Sequence, residues 1–292
     1  MSNYLPWYLS YSIAAATFAI LSGGALLYHY QCEIIYPANF PEGSRKNVAK
    51  PSQYGLPYED VLLTTGDNVK IKAYLIKNTD DAVARTKPTI FYLHANAGNM
   101  GHRLSIAEVF HKQFGCNVFM LSYRGYGLSE GNPSEKGLRI DAQTALDYIR
   151  NHPVLRETKL IAYGQSIGGA VSIDIVSRNE ELFSGLIIEN TFLSIRKVIP
   201  HVLPMISRVS FLCHQIWDSE NMIQKIERLP VLFLSGLKDE LVPPAHMKEL
   251  HKLLKSTGVS VWCEFPDGTH NDTCLKRGYF EAIKGFLDGI TE

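Results

Sequence analysis

Neither sign of charge dominates this sequence. Its 292 residues hold 29 Lys and Arg against 29 Asp and Glu, and no basic block stands out. A nucleic-acid partner is therefore not expected, because phosphate binding needs a concentrated positive field. Cysteine is sparse and scattered. Cys32, Cys116, Cys213, Cys263 and Cys274 are odd in number and lack C-x-x-C spacing. That argues against a disulfide framework and against a zinc site, and fits small buried hydrophobes. No internal repeat is present. The sharpest absence is local: from Met1 to Cys32 there is no Lys, Arg, Asp or Glu.

Within that uncharged stretch, the run from about Leu9 to Tyr28 is apolar or small. About 20 residues at 1.5 Å each span the hydrocarbon core of a bilayer. Trp7, Tyr8 and Tyr11 at one end and Tyr28 and Tyr30 at the other suit interfacial anchors. A signal peptide would carry a positive n-region and a shorter apolar stretch, and a core helix would show a polar face. Residues 1–32 are therefore expected to be a single-pass transmembrane anchor, with the bilayer as a partner and an endomembrane location. The nearest positive charges, Arg45, Lys46 and Lys50, follow the span and favour a cytosolic C-terminal domain. The only glycosylation sequon, Asn271-Asp272-Thr273, lies beside a candidate catalytic histidine, where a glycan would crowd the site.

Residues 33–57 are rich in Pro, Gly, Ser and Asn and read as a tether packed over the domain. From Tyr58 the chain alternates. Strand-like runs fall at 61–65, 69–76, 89–93, 118–122, 160–163, 186–188, 231–234 and 261–265, the first two joined around Gly66-Asp67-Asn68 as a hairpin. Helix-like patterns lie at about 101–114, 135–151, 167–179, 243–255 and 276–290. Apolar strands rich in Val, Ile, Leu and Phe predict a mostly parallel, doubly wound α/β sheet over residues 58–292. Residues 192–216 break the rhythm, apolar but interrupted by Pro200 and Pro204. They read either as an ordinary covering helix or as a short lid walling an acyl chain.

The motif that carries chemistry is Gly164-Gln165-Ser166-Ile167-Gly168, set between a strand-like and a helix-like run. Such a G-x-S-x-G turn is a nucleophile elbow: small residues two before and two after the serine let the turn tighten until the hydroxyl stands above the sheet. A serine needs a base, and the base an orienting acid. Asp239, after the strand 231–234, and His270, after the last strand, follow in the order Ser, acid, His and emerge at the same sheet edge. Glu189 and, more weakly, Glu240 compete for the acid role. His94, His201, His214 and His246 lack the order and edge of His270. Oxyanion donors are expected at the backbone N–H groups of Ile167 and Asn96, the latter in the loop His94–Asn99. A plain helix cap by Asn96 or Asn99 is the other reading of that loop.

Taken together, H-A-N-A-G-N at 94–99, S-Y-R-G-Y-G-L-S-E-G at 122–131, Y-G-Q-S-I-G-G at 163–169, I-E-N-T-F-L-S at 188–194, G-L-K-D-E-L-V-P-P at 236–244 and G-T-H-N-D at 268–272 resemble the Bem46-like branch of the α/β-hydrolases. The resemblance covers nearly the whole chain from about residue 20. It implies a single-pass membrane hydrolase with a Ser166–Asp239–His270 triad, of a family often labelled serine peptidase-like. One departure stands out. Related loops read H-G-N-A-G-N, whereas this chain has Ala95; glycine permits a positive φ that alanine adopts only at about 1–2 kcal/mol. The leading expectation is a serine hydrolase of carboxylic esters or thioesters on lipids or S-acylated proteins, with S-depalmitoylation its sharpest form and no metal or organic cofactor required. The alternatives are a serine peptidase and a catalytically weak, membrane-tethered scaffold.

Overall fold

A computed structural model of the chain describes residues 7–291. Met1 to Pro6, the start of the expected anchor, and Glu292 lie outside the described residues, as do the side chains of Trp7 and Tyr8. The first element, α1 (Trp7–Ile35), is a single helix of 29 residues, running three residues past the expected end of the anchor. Its portion Tyr11–Ile35 is long and apolar enough to cross a membrane, and its most apolar stretch is not buried against the rest of the protein. Tyr11, Phe18, Leu21 and Leu26 project outward from it. The segment read as a tether is closely packed, with Tyr36, Ala38, Ser44 and Leu56 buried.

The hairpin forms as expected. Strand β1 (Tyr58–Thr64) runs antiparallel to β2 (Lys70–Ile76), with Thr64 opposite Lys70. Asn68 takes the left-handed position of the turn at φ 62°, a conformation that asparagine tolerates. The remaining strands are β3 (Thr89–Leu93), β4 (Asn117–Ser122), β5 (Leu160–Gln165), β6 (Gly185–Glu189), β7 (Val231–Gly236) and β8 (Ser260–Phe265). They form one sheet in the order β1-β2-β4-β3-β5-β6-β7-β8. β4 pairs antiparallel with β2, and every pairing from β4 through β8 is parallel.

Helices α2 (Asp81–Arg85), α3 (Leu104–Glu108), α4 (Glu135–Asn151), α5 (Ile167–Arg178), α6 (Ile195–Val202), α7 (Ser219–Met222), α8 (Ala245–Leu253) and α9 (Tyr279–Thr291) complete the chain. The period-2 alternation of the central strands divides the core. Phe91, Leu93, Phe119 and Leu121 face α4 and α5, while Ile90, Tyr92, Val118 and Met120 face α3 and α9. Burying each large apolar side chain there contributes about 1.5–3 kcal/mol. Helix α4 shows why these segments fold locally. Ser134 caps it by accepting from the Gly137 N–H at 3.1 Å, and Leu138, Ala142, Ala145, Leu146 and Ile149 line one buried stripe.

One expected helix is wound differently. The stretch 101–114 opens with a 3-10 turn over Met100–Arg103, becomes α3, and ends in a π-turn over Val109–Gln113. Gly101 explains the opening, since a Cβ there would lie 2.5 Å from the Ala49 backbone nitrogen. The packed segment before the hairpin presses directly on this turn.

The strand order fixes where a site can form. From β3 the chain moves outward to β4, then returns across β3 to β5, so the winding direction reverses between β3 and β5. Ligands of open α/β sheets bind outside the strand carboxyl ends at such a switch point. Here the loops leaving β3 and β5 carry His94–Asn99 and Ser166.

The β5–α5 turn tolerates no bulk. A Cβ on Gly168 would lie 2.0 Å from the Leu93 carbonyl oxygen, and one on Gly164 would lie 2.1 Å from that of Gly168. Gly285, by contrast, has nothing within 4 Å of its Cβ position. Gly168→Ala is therefore expected to lower stability by about 3 kcal/mol or more, whereas Gly285→Ala should hold or gain slightly through helix propensity. Thermal unfolding of both variants in detergent checks the contrast; equal melting temperatures would contradict it.

Candidate active site

Ser166 caps α5 from φ 55°, ψ −120°, a conformation rare for any residue with a Cβ. Two contacts enforce it. The Ser166 N–H donates to the Glu189 carbonyl at 2.9 Å, and Thr191 Oγ1 donates to the Ser166 carbonyl at 2.7 Å. The hydroxyl thus stands at the mouth of the β3/β5 crevice, and the side chain is 8 % exposed.

Asp239 lies on the loop after β7. Its Oδ1 accepts the Leu241 and Val242 N–H groups at 2.9 and 2.7 Å, leaving Oδ2 to face His270 Nδ1 at 2.8 Å. The opposite ring nitrogen, His270 Nε2, sits 3.0 Å from Ser166 Oγ. Three residues far apart in sequence therefore form one hydrogen-bonded line, and all three side chains are nearly buried. The histidine backbone is held as well. Its carbonyl accepts from Gln165 Nε2 at 2.8 Å, and its N–H donates to Glu240 Oε2 at 3.2 Å.

The competing residues are occupied elsewhere. Glu189 is fully buried, and its Oε2 accepts the hydroxyls of Tyr279 at 2.6 Å and Tyr163 at 2.9 Å. Burial raises its carboxyl above the ordinary range. Glu240 binds the His270 backbone rather than the ring. His246 Nδ1 accepts from the Leu193 N–H at 3.2 Å, and burial lowers its pKa. The exposed His201 sits 3.1 Å from the Glu240 carbonyl, and His214 lies edge-on to Tyr28 of α1 with ring centroids 4.9 Å apart. His94 is sealed between Tyr123 and Tyr126, with Nδ1 2.8 Å from the Ala95 carbonyl. Burial pushes it down to about 3, so it is a neutral imidazole.

The loop after β3 answers the question raised by Ala95. Its backbone is not left-handed; Ala97 at φ 60° and Gly98 at φ 70° take those positions instead. Ala95 therefore carries no left-handed strain, and Ala97 does. The N–H of Asn96 has no acceptor among the described residues, and Ile167, first in α5, has no intrahelical carbonyl to bond. The Asn96 side chain does not cap a helix. Its Nδ2 donates to the Ile35 carbonyl at the end of α1, and its Oδ1 accepts from Tyr126.

Several supporting residues had no clear sequence signal. Asn190, at φ 44°, accepts the Gly236 N–H at 2.8 Å and donates to Thr273 Oγ1 at 3.0 Å and the Thr269 carbonyl at 3.2 Å. It ties the end of β6 to the loops bearing Asp239 and His270. Its only trace is its place in the I-E-N-T-F-L-S motif. A strap from the end of α1 holds the other side. Gly98 N–H donates to the Phe40 carbonyl at 2.7 Å, and Asn99 Nδ2 to the carbonyls of Ser44 at 2.8 Å and Asn47 at 3.1 Å. All five cysteines are free, Cys116 and Cys213 among the buried residues.

Comparison with known proteins agrees with this architecture. The family model described as serine aminopeptidase, S33, matches residues 84–218. An esterase of Pyrococcus furiosus, Pf2001, superposes with a TM-score of 0.68 at 19% identity, covering 84% of this chain and 97% of its own. The chain is an α/β-hydrolase-fold protein. Protein bem46 of Schizosaccharomyces pombe is 50% identical over 96% of this chain and 93% of its own. The Saccharomyces cerevisiae protein YNL320W, described as an uncharacterized membrane protein, is 45% identical over 90% of each chain. The chain belongs to the Bem46 family.

The strap generates opposite expectations at two neighbouring positions. Asn99→Ala removes two side-chain donations and strands two carbonyls, an expected loss of about 2 kcal/mol. Ala97→Gly relieves left-handed strain and should gain about 1 kcal/mol. Chemical denaturation of the full chain in detergent reads both, and shifts of the same sign would contradict the assignment.

Proposed function

We propose that this protein is a membrane-anchored serine hydrolase of acyl esters or thioesters. The observation that carries the reading is the line Asp239 Oδ2–His270 Nδ1, His270 Nε2–Ser166 Oγ, at 2.8 and 3.0 Å. In the proposed reaction, His270 takes the hydroxyl proton as Ser166 Oγ attacks the acyl carbonyl, and Asp239 stabilises the imidazolium that forms. The negative charge on the former carbonyl oxygen is received by the N–H groups of Ile167 and Asn96, each worth about 2.7–4 kcal/mol in the transition state. The N-terminal end of α5 adds a favourable dipole. His270 then protonates the leaving alcohol or thiol, and water activated by the same histidine releases the acid from Ser166. Every step uses groups of this chain and water.

The membrane part of the reading rests on α1 and its apolar length. An anchor next to the site raises the effective concentration of membrane-resident acyl substrates, lipids or S-acylated proteins. The positive residues after the span favour a cytosolic hydrolase domain on an endomembrane. Asn271 supports that side, because it is exposed and adjoins His270. In a chain purified from eukaryotic membranes Asn271 should carry no glycan, which intact-mass measurement decides; a modified Asn271 would reverse the orientation.

Activity on p-nitrophenyl esters from acetyl to palmitoyl, measured on the full chain in detergent, tests the chemistry. Turnover should rise with acyl length and fall by about 10⁶ in Ser166→Ala. Asp239→Asn should cost about 10⁴, while Glu189→Gln stays close to wild type. Equal losses in the two carboxylate variants would sink the acid assignment. Cleavage of peptide anilides at rates matching the esters would replace the esterase reading with a peptidase one.

A further inference from the structure

The segment Ile195–Leu212 follows none of the rules of an ordinary surface element. Helix α6 and the 3-10 stretch Pro204–Leu212 contribute no buried residue. Ile195 and Val198 rest half-buried against the core, but a second set of apolar side chains faces outward: Met205 is 99 % exposed, Phe211 65 %, Val202 44 % and Leu203 43 %. Isolated exposed apolar residues need no explanation, but a contiguous patch does. The charge pattern is equally one-sided. From Asn190 to Trp217 there is no Asp or Glu, while Arg196, Lys197 and Arg208 are cationic. Arg208 is exposed, and Lys197 pairs with Glu220 from beyond the segment. Exposed apolar side chains with cationic neighbours are the composition of elements that lie in a membrane interface.

Its position against α1 supplies the second observation. Gln31 of α1 accepts the His214 N–H at 2.7 Å and donates to the Leu212 carbonyl at 3.4 Å, stapling the segment's end to the helix. Leu27 and Ile34 of α1 meet Ile199, Leu203 and Ile206 around an apolar groove. Higher on α1, a Cβ at Gly24 would lie 3.8 Å from Leu212 Cδ1. Counted from Tyr11, about 20 residues at 1.5 Å cover the ~30 Å hydrocarbon layer and end near Tyr30. Gly24 lies six residues inside that end, about 9 Å. If α1 spans the bilayer, Leu212 is already below the headgroups.

We propose that Ile195–Leu212 is a second membrane-seated element, lying in the bilayer interface beside α1 with Met205 and Phe211 among the acyl chains and Arg208 at the lipid phosphates. The proposal rests on the reading of α1 as a membrane span and goes beyond it, because a second seated element sets which face of the hydrolase domain meets the bilayer. Its bearing on the site is direct. His201 of α6 contacts the Glu240 carbonyl at 3.1 Å, and Glu240 in turn holds the His270 N–H. A bilayer seated against this segment therefore lies on the side of the domain that carries the Asp239 and His270 loops.

The test uses the full chain reconstituted in phosphatidylcholine–phosphatidylserine vesicles containing bromine-labelled acyl chains, which quench tryptophan on contact. Each variant is read as its increment over the three native tryptophans. Leu21→Trp reports the anchor, Met205→Trp the proposed element, and Val259→Trp, an exposed apolar position just before β8, the aqueous surface. The expected result is loss of most of the added emission at positions 21 and 205 and retention at 259. Quenching at 21 with none at 205 overturns the proposal and leaves the anchor standing; a second copy of the chain covering the patch would give that result. No quenching at either position overturns both readings. Quenching at 205 without 21 keeps the element in the lipid and removes the span.

Discussion

The structure depends on how closely the start of α5 approaches the end of β3. The Gly168 Cα sits against the Leu93 carbonyl, and Gly164 sits equally close to the Gly168 backbone, so the turn between them closes only with no Cβ at either residue. Because the turn is closed, Ser166 is forced to a positive φ, its hydroxyl is thrust out of the sheet, and the Ile167 N–H is left at the free end of a helix. The raised Ser166 hydroxyl and the free Ile167 N–H, the proposed nucleophile and oxyanion donor, thus arise from one steric constraint. The conformational cost is met by tertiary bonds, from Thr191 to the Ser166 carbonyl and from the Ser166 N–H to Glu189, as strained functional residues require.

Around that turn the chain over-determines the histidine. Its ring is fixed by Asp239, its carbonyl by Gln165 and its N–H by Glu240, while Asn190 fastens the loop that carries it. Such redundancy matters because a displacement of about 1 Å at a reacting group can cost a hundredfold in rate. The oxyanion loop is held by a different logic. Its partners are the carbonyls of Ile35, Phe40, Ser44 and Asn47, all in or just after the membrane-length helix. The segment between α1 and the hairpin therefore braces the β3 loop, and the end of α1 meets Asn96 directly through the bond from Asn96 Nδ2 to the Ile35 carbonyl.

What the sequence made legible divides along physical lines. The eight strands and the meeting of Ser166, Asp239 and His270 were readable because apolar runs, glycine spacing and chain order are signals that survive in one dimension. The strap was not, because its contributions to the loop are backbone carbonyls, and a carbonyl leaves no mark in residue identity. The glycine of related loops raised the question of a positive φ at position 95, which Ala95 does not adopt; Ala97 and Gly98 do. Alanine at φ 60° gives no warning in sequence, since its cost is absorbed by the bond from Gly98 to Phe40. The changed winding over 100–113 escaped for the same reason: it answers to the Ala49 backbone, about fifty residues away in the chain.

These two kinds of support imply a division of roles between the two sides of the crevice. The side built by β5 to β8 holds Ser166, Asp239 and His270 through side-chain bonds and close glycine contacts that belong to the folded sheet itself. The side built by the β3 loop takes its shape from the strap, and the strap begins where the apolar helix ends. Removing the chain through Asn47 would strip the β3 loop of four carbonyl acceptors, whereas a cut at the helix end would remove only that of Ile35. In the proposed mechanism the oxyanion donors act in the transition state while the proton relay exists at rest, so a protein without the strap would hold the Ser–His–Asp line and still catalyse poorly. On that proposal the geometry of the relay is not by itself a measure of competence; the join between the strap and the β3 loop counts as well.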